Sequence, residues 1–370
     1  MKAKIYETKE KKKRVLLVSI KSEKNAEAGA QELIRLAETL ELDIAGHEIV
    51  TVREKLSKFG IGSGKAEEIA GKAKQLEADC LILDWNSSPS QQRNWEDLAK
   101  IPVLDRQELI IQIFAKRALT REAHLQVQLA ELHYRLPRLT HKYIDLSQQR
   151  GGRYGSKGSG ETRLETDRRE IEKRIHKLEK DIEEVAKQRK VLRQQRERQN
   201  LPVCAIVGYT NAGKSSLLNA LTGSEVLVED KLFATLNTTT RRFNPAPGIT
   251  ALLTDTVGFI RRLPHSLIKA FKSTLEEAAH ANLLLHILDA SDDDIDNCFQ
   301  TTNSVLQELG AGEIPVITVL NKADCLPDPE QANALRYRFP QSIVVSAKTG
   351  FGLEKLKIRI AKKNTSFLRH

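Results

Sequence analysis

The spacing of apolar positions changes twice along the 370-residue chain. Residues 14–106 read as α/β. Arg14-Val-Leu-Leu-Val-Ser-Ile20 predicts a strand, and Leu33, Leu36, Ala37 and Leu40 give the helical spacing of a helix over 28–40. A helix is predicted over 66–77, with further strands over Cys80–Leu83 and Ile101–Leu104. From Gln107 the pattern becomes that of a long helix. Leu125, Leu129, Leu132, Leu136 and Leu139 alternate steps of four and three, and Pro137 is expected to end or kink this helix. Ile171, Ile175, Leu178, Ile182 and Val185 repeat the same steps; Arg189 breaks the series and Leu192 resumes it. Two such seams joined by a glycine-rich stretch predict an antiparallel helical hairpin, with a coiled coil between chains as the alternative. Beyond residue 200 the strand pattern returns, at Val203–Val207, Ile249–Thr254 and Val316–Leu320. The fold class expected is therefore α/β: an N-terminal α/β subdomain (1–106), a helical hairpin (107–200) with its turn at 148–162, and a second α/β domain (201–370).

The last domain carries the chemistry. Gly208-Tyr209-Thr210-Asn211-Ala212-Gly213-Lys214-Ser215 stands between a strand and a helix, the context that a phosphate-binding loop requires. Backbone N–H groups and the helix N-terminus would face phosphate, Lys214 would reach the β- and γ-phosphates, and the Ser215 hydroxyl would bind Mg²⁺. Asp255-Thr256-Val257-Gly258 follows the next strand; Asp255 would hold Mg²⁺ through water, and the Gly258 N–H would meet the γ-phosphate. Asn321-Lys322-Ala323-Asp324 follows a third. The Asp324 carboxylate matches the guanine N1–H and NH₂ but meets an acceptor on adenine, a difference worth roughly 10⁴–10⁵ in discrimination. Asn321 would brace the loop and the base, and Lys322 would lie along the ring. In Ser346-Ala347-Lys348, the Ala347 N–H would meet the guanine oxygen. Each tetrapeptide alone could be an ordinary turn. The four in order predict a Ras-like P-loop GTPase domain that binds GTP and GDP with Mg²⁺.

Composition narrows the setting. The net charge is +10, no apolar run approaches the length of a bilayer span, and the charged N-terminus lacks the apolar core of a signal peptide. Cys80, Cys204, Cys298 and Cys325 form no C-x-x-C pair; Cys80 and Cys204 sit in apolar runs and read as buried free thiols. A cytoplasmic protein with a polyanionic partner and no membrane association is expected. Between residues 135 and 160, Arg135, Arg138, Lys142, Arg150, Arg153 and Lys157 are opposed by Asp145 alone, so half the net charge lies beside the hairpin turn. Arg and Lys there suit RNA phosphates, and Tyr154 could stack on a base. Two glycine-rich stretches are set aside. Gly60-Ile-Gly-Ser-Gly-Lys65 is explained by a turn before a helix, and Gly155–Thr162 has Glu161 where a phosphate loop needs lysine.

At this point the chain resembles the HflX family of translational GTPases, within the Obg–HflX group. The resemblance runs from about residue 12 to 360. Its most specific parts lie outside the nucleotide site, such as Gln92-Arg-Asn94, Ile113-Phe114-Ala115-Lys-Arg117-Ala118, Leu136-Pro137-Arg138-Leu139 and Gly160-Glu-Thr-Arg-Leu-Glu-Thr-Asp-Arg-Arg169. It implies association with the large (50S) ribosomal subunit and a role in protein synthesis, ribosome rescue, splitting or biogenesis. It also bears on the second Mg²⁺ ligand, for which chemistry alone allows Thr235, Thr238, Thr239 or Thr240. The family pattern points to Thr235, within Phe233-Ala234-Thr235-Leu236-Asn237, and Asn237-Thr238 here replace the usual Asp-Pro. Ala123-His124 and Arg153-Tyr154 also depart from the family pattern. Many members carry a further C-terminal domain; with the chain ending at His370, that domain is expected to be absent or very short. Phe259 stands where Ras-type enzymes carry the water-orienting glutamine. Either it simply packs, or hydrolysis is slow until the ribosome supplies the missing group; the second reading gives a GTP-timed ribosome factor, expected to act as a monomer. The alternative is an RNA-binding assembly factor whose nucleotide is mainly structural.

Overall fold

The computed structural model describes residues 12–21, 26–52, 56–148, 159–198, 201–224, 231–236, 238–261, 267 and 272–367. The chain divides into two compact units, Met1–Ile113 and Phe114–His370.

In the first unit, strands β1 (Arg14–Lys21), β2 (Asp43–Thr51), β3 (Cys80–Leu83) and β4 (Val103–Asp105) form a parallel sheet in the order β2-β1-β3-β4. Helices α1 (Ala26–Thr39), α2 (Ser63–Gln75) and α3 (Pro89–Ala99) connect them, and α4 (Arg106–Arg117) follows. The predicted strands and helices recur here with small shifts. Strand β4 begins after Pro102, whose carbonyl accepts the Leu81 N–H at 3.0 Å but which has no N–H to give a ladder. The Gly60–Lys65 stretch is a turn into α2. Gly60 has φ +78°, and a Cβ there would lie 2.9 Å from the Trp85 indole nitrogen, so packing and backbone both require glycine. At the carboxyl edge of the sheet, buried Arg106 bridges Asp84 at 2.5 Å and Glu32 at 3.1 Å. These partners compensate a guanidinium taken out of water.

The second unit holds the predicted hairpin as α5 (Arg121–Gln148) and α6 (Ser159–Arg198). Leu129 and Leu132 pack on Ile175 and Leu178, flanked by Leu125, Leu136, Ile171 and Ile182, so the two seams meet within one chain. Arg189, which breaks the apolar series, forms an ion pair with Glu122 near the start of α5. Pro137 does not end the helix: α5 continues through it to Gln148. The Arg138 guanidinium donates to the Tyr134 carbonyl at 3.0 Å and lies over the Tyr134 ring, next to the proline. The glycine-rich turn, with Arg150, Arg153, Tyr154 and Lys157, lies outside the described residues.

The rest of this unit is a six-stranded sheet with the order β10-β9-β8-β5-β7-β6. Its strands are β5 (Val203–Gly208), β6 (Thr239–Ala246), β7 (Ile249–Asp255), β8 (Leu283–Asp289), β9 (Val316–Asn321) and β10 (Ile343–Val344). All neighbours are parallel except β6 and β7. Helices α7 (Lys214–Thr222), α8 (Lys272–Ala279), α9 (Ile295–Glu308), α10 (Pro329–Arg338) and α11 (Leu353–Phe367) accompany it. Cys204, Ile206, Leu285 and Val319 of the central strands pack with Leu217 and Leu218 of α7 and Leu356 and Ile360 of α11. Buried strands of a parallel sheet read as continuous apolar runs, which is why these were visible in the sequence. Burial pushes the Cys80 and Cys204 thiols up to about 12, so both are inert hydrophobes. No described helix is long and apolar enough to cross a membrane.

His286 in β8 is fully buried and stacks on Phe299 with ring centroids 5.0 Å apart; neither ring nitrogen has a hydrogen-bond partner. Burial lowers its pKa to about 3 from 6.5, so the unfolded chain binds the proton more readily. Stability is thus present above about pH 6.5 and lost as pH falls towards 3. The loss between pH 6.5 and pH 5 should be about 1.5 kcal/mol. Urea unfolding of wild type and His286→Leu at several pH values checks this: the variant should lose that part of the pH dependence.

Candidate functional site

The site is assembled at the carboxyl ends of β5, β7 and β9, where open α/β sheets bind ligands. Gly208 ends β5 with φ +151°, and a Cβ there would lie 2.3 Å from the Ile287 carbonyl oxygen. The following loop passes through Asn211 at φ +62° and Gly213 at φ +85° into α7. At Gly213 a Cβ would lie 2.3 Å from Asn321 Nδ2; at Gly258 it would lie 2.8 Å from Lys214 Nζ. These are places where the backbone comes so close to its neighbours that a side chain would collide with them.

Three oxygens converge beside this loop. Ser215 Oγ lies 2.6 Å from Asp255 Oδ2 and 2.6 Å from Thr235 Oγ1, and Thr235 Oγ1 donates to Asp255 Oδ2 at 3.1 Å. Among the described residues, Asp255 Oδ1 is buried with no hydrogen-bond partner. Two hydroxyls and a carboxylate are hard oxygen donors of the kind Mg²⁺ takes, and the orphaned carboxylate oxygen leaves acceptor capacity for its waters. The residues present therefore fit that ion. Of the four threonines that chemistry allowed, Thr235 is the one at this centre. Thr239 pairs in register with Asp255 across the ladder, and Thr240 meets Thr254 Oγ1 at 2.9 Å. Lys214 Nζ donates to the Tyr209 carbonyl at 2.8 Å. Burial lowers the Lys214 pKa to about 8 and raises that of Asp255; the charge of each opposes the shift of the other. One pocket is lined by Thr210, Gly213, Lys214, Ser215, Thr235 and Gly258, with Phe233 and Ala234 at its wall.

Gly258 leads directly into a segment laced to the loop. Thr210 N–H donates to the Phe259 carbonyl at 2.7 Å, and Phe259 N–H donates to the Gly208 carbonyl at 3.1 Å, a parallel bridge. The Tyr209 hydroxyl accepts the Arg261 N–H at 2.8 Å, and Arg261 pairs with Asp294. Phe259 is buried. Its ring packs, as one reading of the sequence held, and offers no hydrogen bond to a water. Thr256 Oγ1 donates to the Ile206 carbonyl at 2.6 Å, and Val257 and Leu236 are buried. Asn237 lies outside the described residues.

The end of the site formed by Asn321–Asp324 and Ser346–Lys348 is held as firmly. Asn321 Nδ2 donates to the Ala212 carbonyl at 2.9 Å, and its Oδ1 accepts the Ala347 N–H at 3.1 Å, so one buried amide ties the phosphate loop to the last motif. Ser346 Oγ donates to Asp324 Oδ1 at 2.5 Å and holds that carboxyl below the usual range. It also accepts the Thr349 N–H, and Ala323 N–H donates to the Val345 carbonyl, so both loops are fixed on β9 and its neighbour. Lys322, at φ +62°, does not lie alone: its ammonium pairs with Asp289 Oδ2 at 2.7 Å. Lys348 completes the loop and adds a cation that favours ionised Asp324. Asp289, Tyr209 as a clamp, and Arg261 with Asp294 escaped the sequence reading. Asp289 had a signal, an acid closing the apolar run of β8; the others are visible only in three dimensions.

Fold and site together define a P-loop GTPase. Residues 27–115 match the family described as GTP-binding GTPase N-terminal, 117–196 its middle region, and 203–322 the 50S ribosome-binding GTPase family. GTPase HflX of Caldanaerobacter subterraneus is 46% identical over 93% of this chain and 79% of its own length. GTPase HflX of Escherichia coli K12 is 45% identical over 81% of this chain and 70% of its own. The crystal structure of SsGBP in complex with GDP superposes with a TM-score of 0.51 at 26% identity, over 96% of this chain and 99% of that one. The chain belongs to the HflX family of GTPases.

Asn321→Ala would leave the buried Ala212 carbonyl and Ala347 N–H unpaired. The cost should be about 2–4 kcal/mol, read by urea unfolding of the nucleotide-free protein. A loss under about 0.5 kcal/mol would mean that the two loops hold without the amide.

Proposed function

We propose that this chain is a Mg²⁺-dependent GTPase whose GTP form associates with the large ribosomal subunit during rescue, splitting or assembly of ribosomes, and whose hydrolysis the ribosome stimulates. The reading rests above all on the meeting of Ser215, Thr235 and Asp255 beside Lys214. The match of 203–322 to the 50S ribosome-binding GTPase family and the basic stretch near the hairpin turn support the ribosomal partner.

Ser215 and Thr235 would hold Mg²⁺, with Asp255 reaching it through water; when bound, the ion neutralises charge developing on the transferred phosphoryl group. Lys214 places its ammonium on the β- and γ-phosphates, and the Gly258 N–H meets the γ-phosphate. Asp324 accepts two hydrogen bonds from guanine, and its low pKa keeps it an acceptor across the working range. Thr235 belongs to a segment that closes only when the third phosphate is present, so GTP and GDP states differ there. Phe259 lends no polar atom to the attacking water, so intrinsic turnover is slow. The 1–106 region and the hairpin over 107–200 serve the particle, the hairpin through its basic turn, while 201–370 hydrolyses nucleotide. The protein works in the cytoplasm as a monomer.

Two outcomes follow for the enzyme. Thr235→Ala should spare GDP affinity and weaken binding of a non-hydrolysable GTP analogue, whereas Thr239→Ala should do neither; the reverse pattern in equilibrium titrations would move the ligand to Thr239. Purified protein should hydrolyse GTP no faster than about 10⁻⁴–10⁻³ s⁻¹, and large subunits should raise the rate by orders of magnitude. Fast turnover that ribosomes leave unchanged would remove the ribosome from the mechanism.

A further inference from the structure

One contact of the segment carrying Thr235 lies outside every nucleotide motif. Phe233, two positions before Thr235, is buried with φ +55°. That left-handed backbone is unfavourable for a bulky side chain and persists only where surroundings enforce it. Its ring meets Phe114 edge to face, with centroids 4.6 Å apart and planes at 84°. Phe114 is itself buried, on α4, the helix that leads through Thr120 into α5. Thr120 Oγ1 accepts the Ala123 N–H at 3.2 Å and caps that helix, so the seat for Phe233 is anchored at the root of the arm.

We propose that Phe114 is a positioning residue for GTP binding and hydrolysis. By seating Phe233 it holds Thr235 against Ser215 and Asp255, and so sets how much of the protein is in the GTP-competent form. This rests on the reading of Thr235 as the group that distinguishes GTP from GDP. The segment has two attachments with different chemistry. Thr235 is tied to the phosphate centre by hydrogen bonds, and Phe233 is tied to α4 by an aromatic edge. The aromatic attachment biases closure before any nucleotide arrives. A ligand that needs the closed segment binds with an apparent affinity reduced by the fraction already closed, whereas GDP, which does not need it, is indifferent. Losing the ring at 114 therefore lowers GTP affinity without lowering GDP affinity. By linkage, a partner that holds α4 and α5 as they stand here raises GTP affinity.

The test is the ratio of GDP to GTP-analogue dissociation constants in the full chain with saturating Mg²⁺. The variants are Phe114→Ala, Phe114→Leu, Phe233→Ala and the Phe114→Ala/Phe233→Ala pair, each checked for an intact unfolding transition. Phe114→Ala should shift the ratio against the GTP analogue by roughly three- to tenfold, the weight of an aromatic pair, with GDP affinity within twofold of wild type. Phe114→Leu, which keeps apolar volume and folds if alanine does not, should give a smaller shift in the same direction. The double variant should be no worse than the worse single one, because both remove one contact. Equal weakening of both nucleotides, no change in the ratio, or additive losses would overturn the proposal. Thr235→Ala, measured alongside, separates the two levels. If it lowers the ratio while the phenylalanine variants do not, only the seat is wrong; if it leaves the ratio unchanged, the reading of Thr235 fails first.

Discussion

The site is organised around the contact between the Ser215 hydroxyl and the Asp255 carboxylate, 2.6 Å apart between β5 and β7. The sheet order dictates that meeting. β5 and β7 are neighbours, with Ile206 opposite Asp255, so the helix that starts after β5 begins beside the carboxyl end of β7. Both Asp255 and Lys214 are buried, and each would be costly alone. Together they are the compensated pair that a dry phosphate site can keep, with their pKa values pulled in opposite directions by burial. Thr235 meets both Ser215 and Asp255 at this point.

Around this centre the chain invests polar groups in rigidity. Asn321 spans two motifs with one amide, Ser346 bonds Asp324, and the bridge from Gly208 to Phe259 and Thr210 laces the phosphate-loop motif to the segment after Gly258. A site that reads charge benefits from such fixed dipoles, because they need no reorganisation when the ligand arrives. Phe233 and Thr235 lie on a described stretch that belongs to no strand or helix. Its two anchors are of different kinds, hydrogen bonds from Thr235 to Ser215 and Asp255 and an aromatic edge from Phe233 to Phe114.

Much of this was legible in the sequence, because the motifs sit at strand ends and buried parallel strands are continuous apolar runs. The hairpin seam was legible for the same kind of reason, a four-three repeat that can be counted. What escaped was of three sorts. Pro137 reads as an end or a kink, and the helix does not end there: α5 runs on to Gln148, with Arg138 donating to the Tyr134 carbonyl beside it. The pairing of the Lys322 ammonium with Asp289 was not legible, because that partner is set by strand order and not by sequence distance. Phe114 and Phe233 stand far apart in the chain, both in apolar company, and no spacing rule pairs them. Among the threonines, geometry at Asp255 separates Thr235 from Thr239 where composition could not.

The central claim is that the segment around Thr235 is fixed through Ser215 and Asp255 when GTP and Mg²⁺ are present. Hydrogen–deuterium exchange of peptides spanning 232–240 tests it most directly, comparing full-length protein with GDP, with a GTP analogue and Mg²⁺, and with the analogue after chelation. Strong protection only with analogue and Mg²⁺ together is the predicted result. Equal exchange in all three conditions would contradict it.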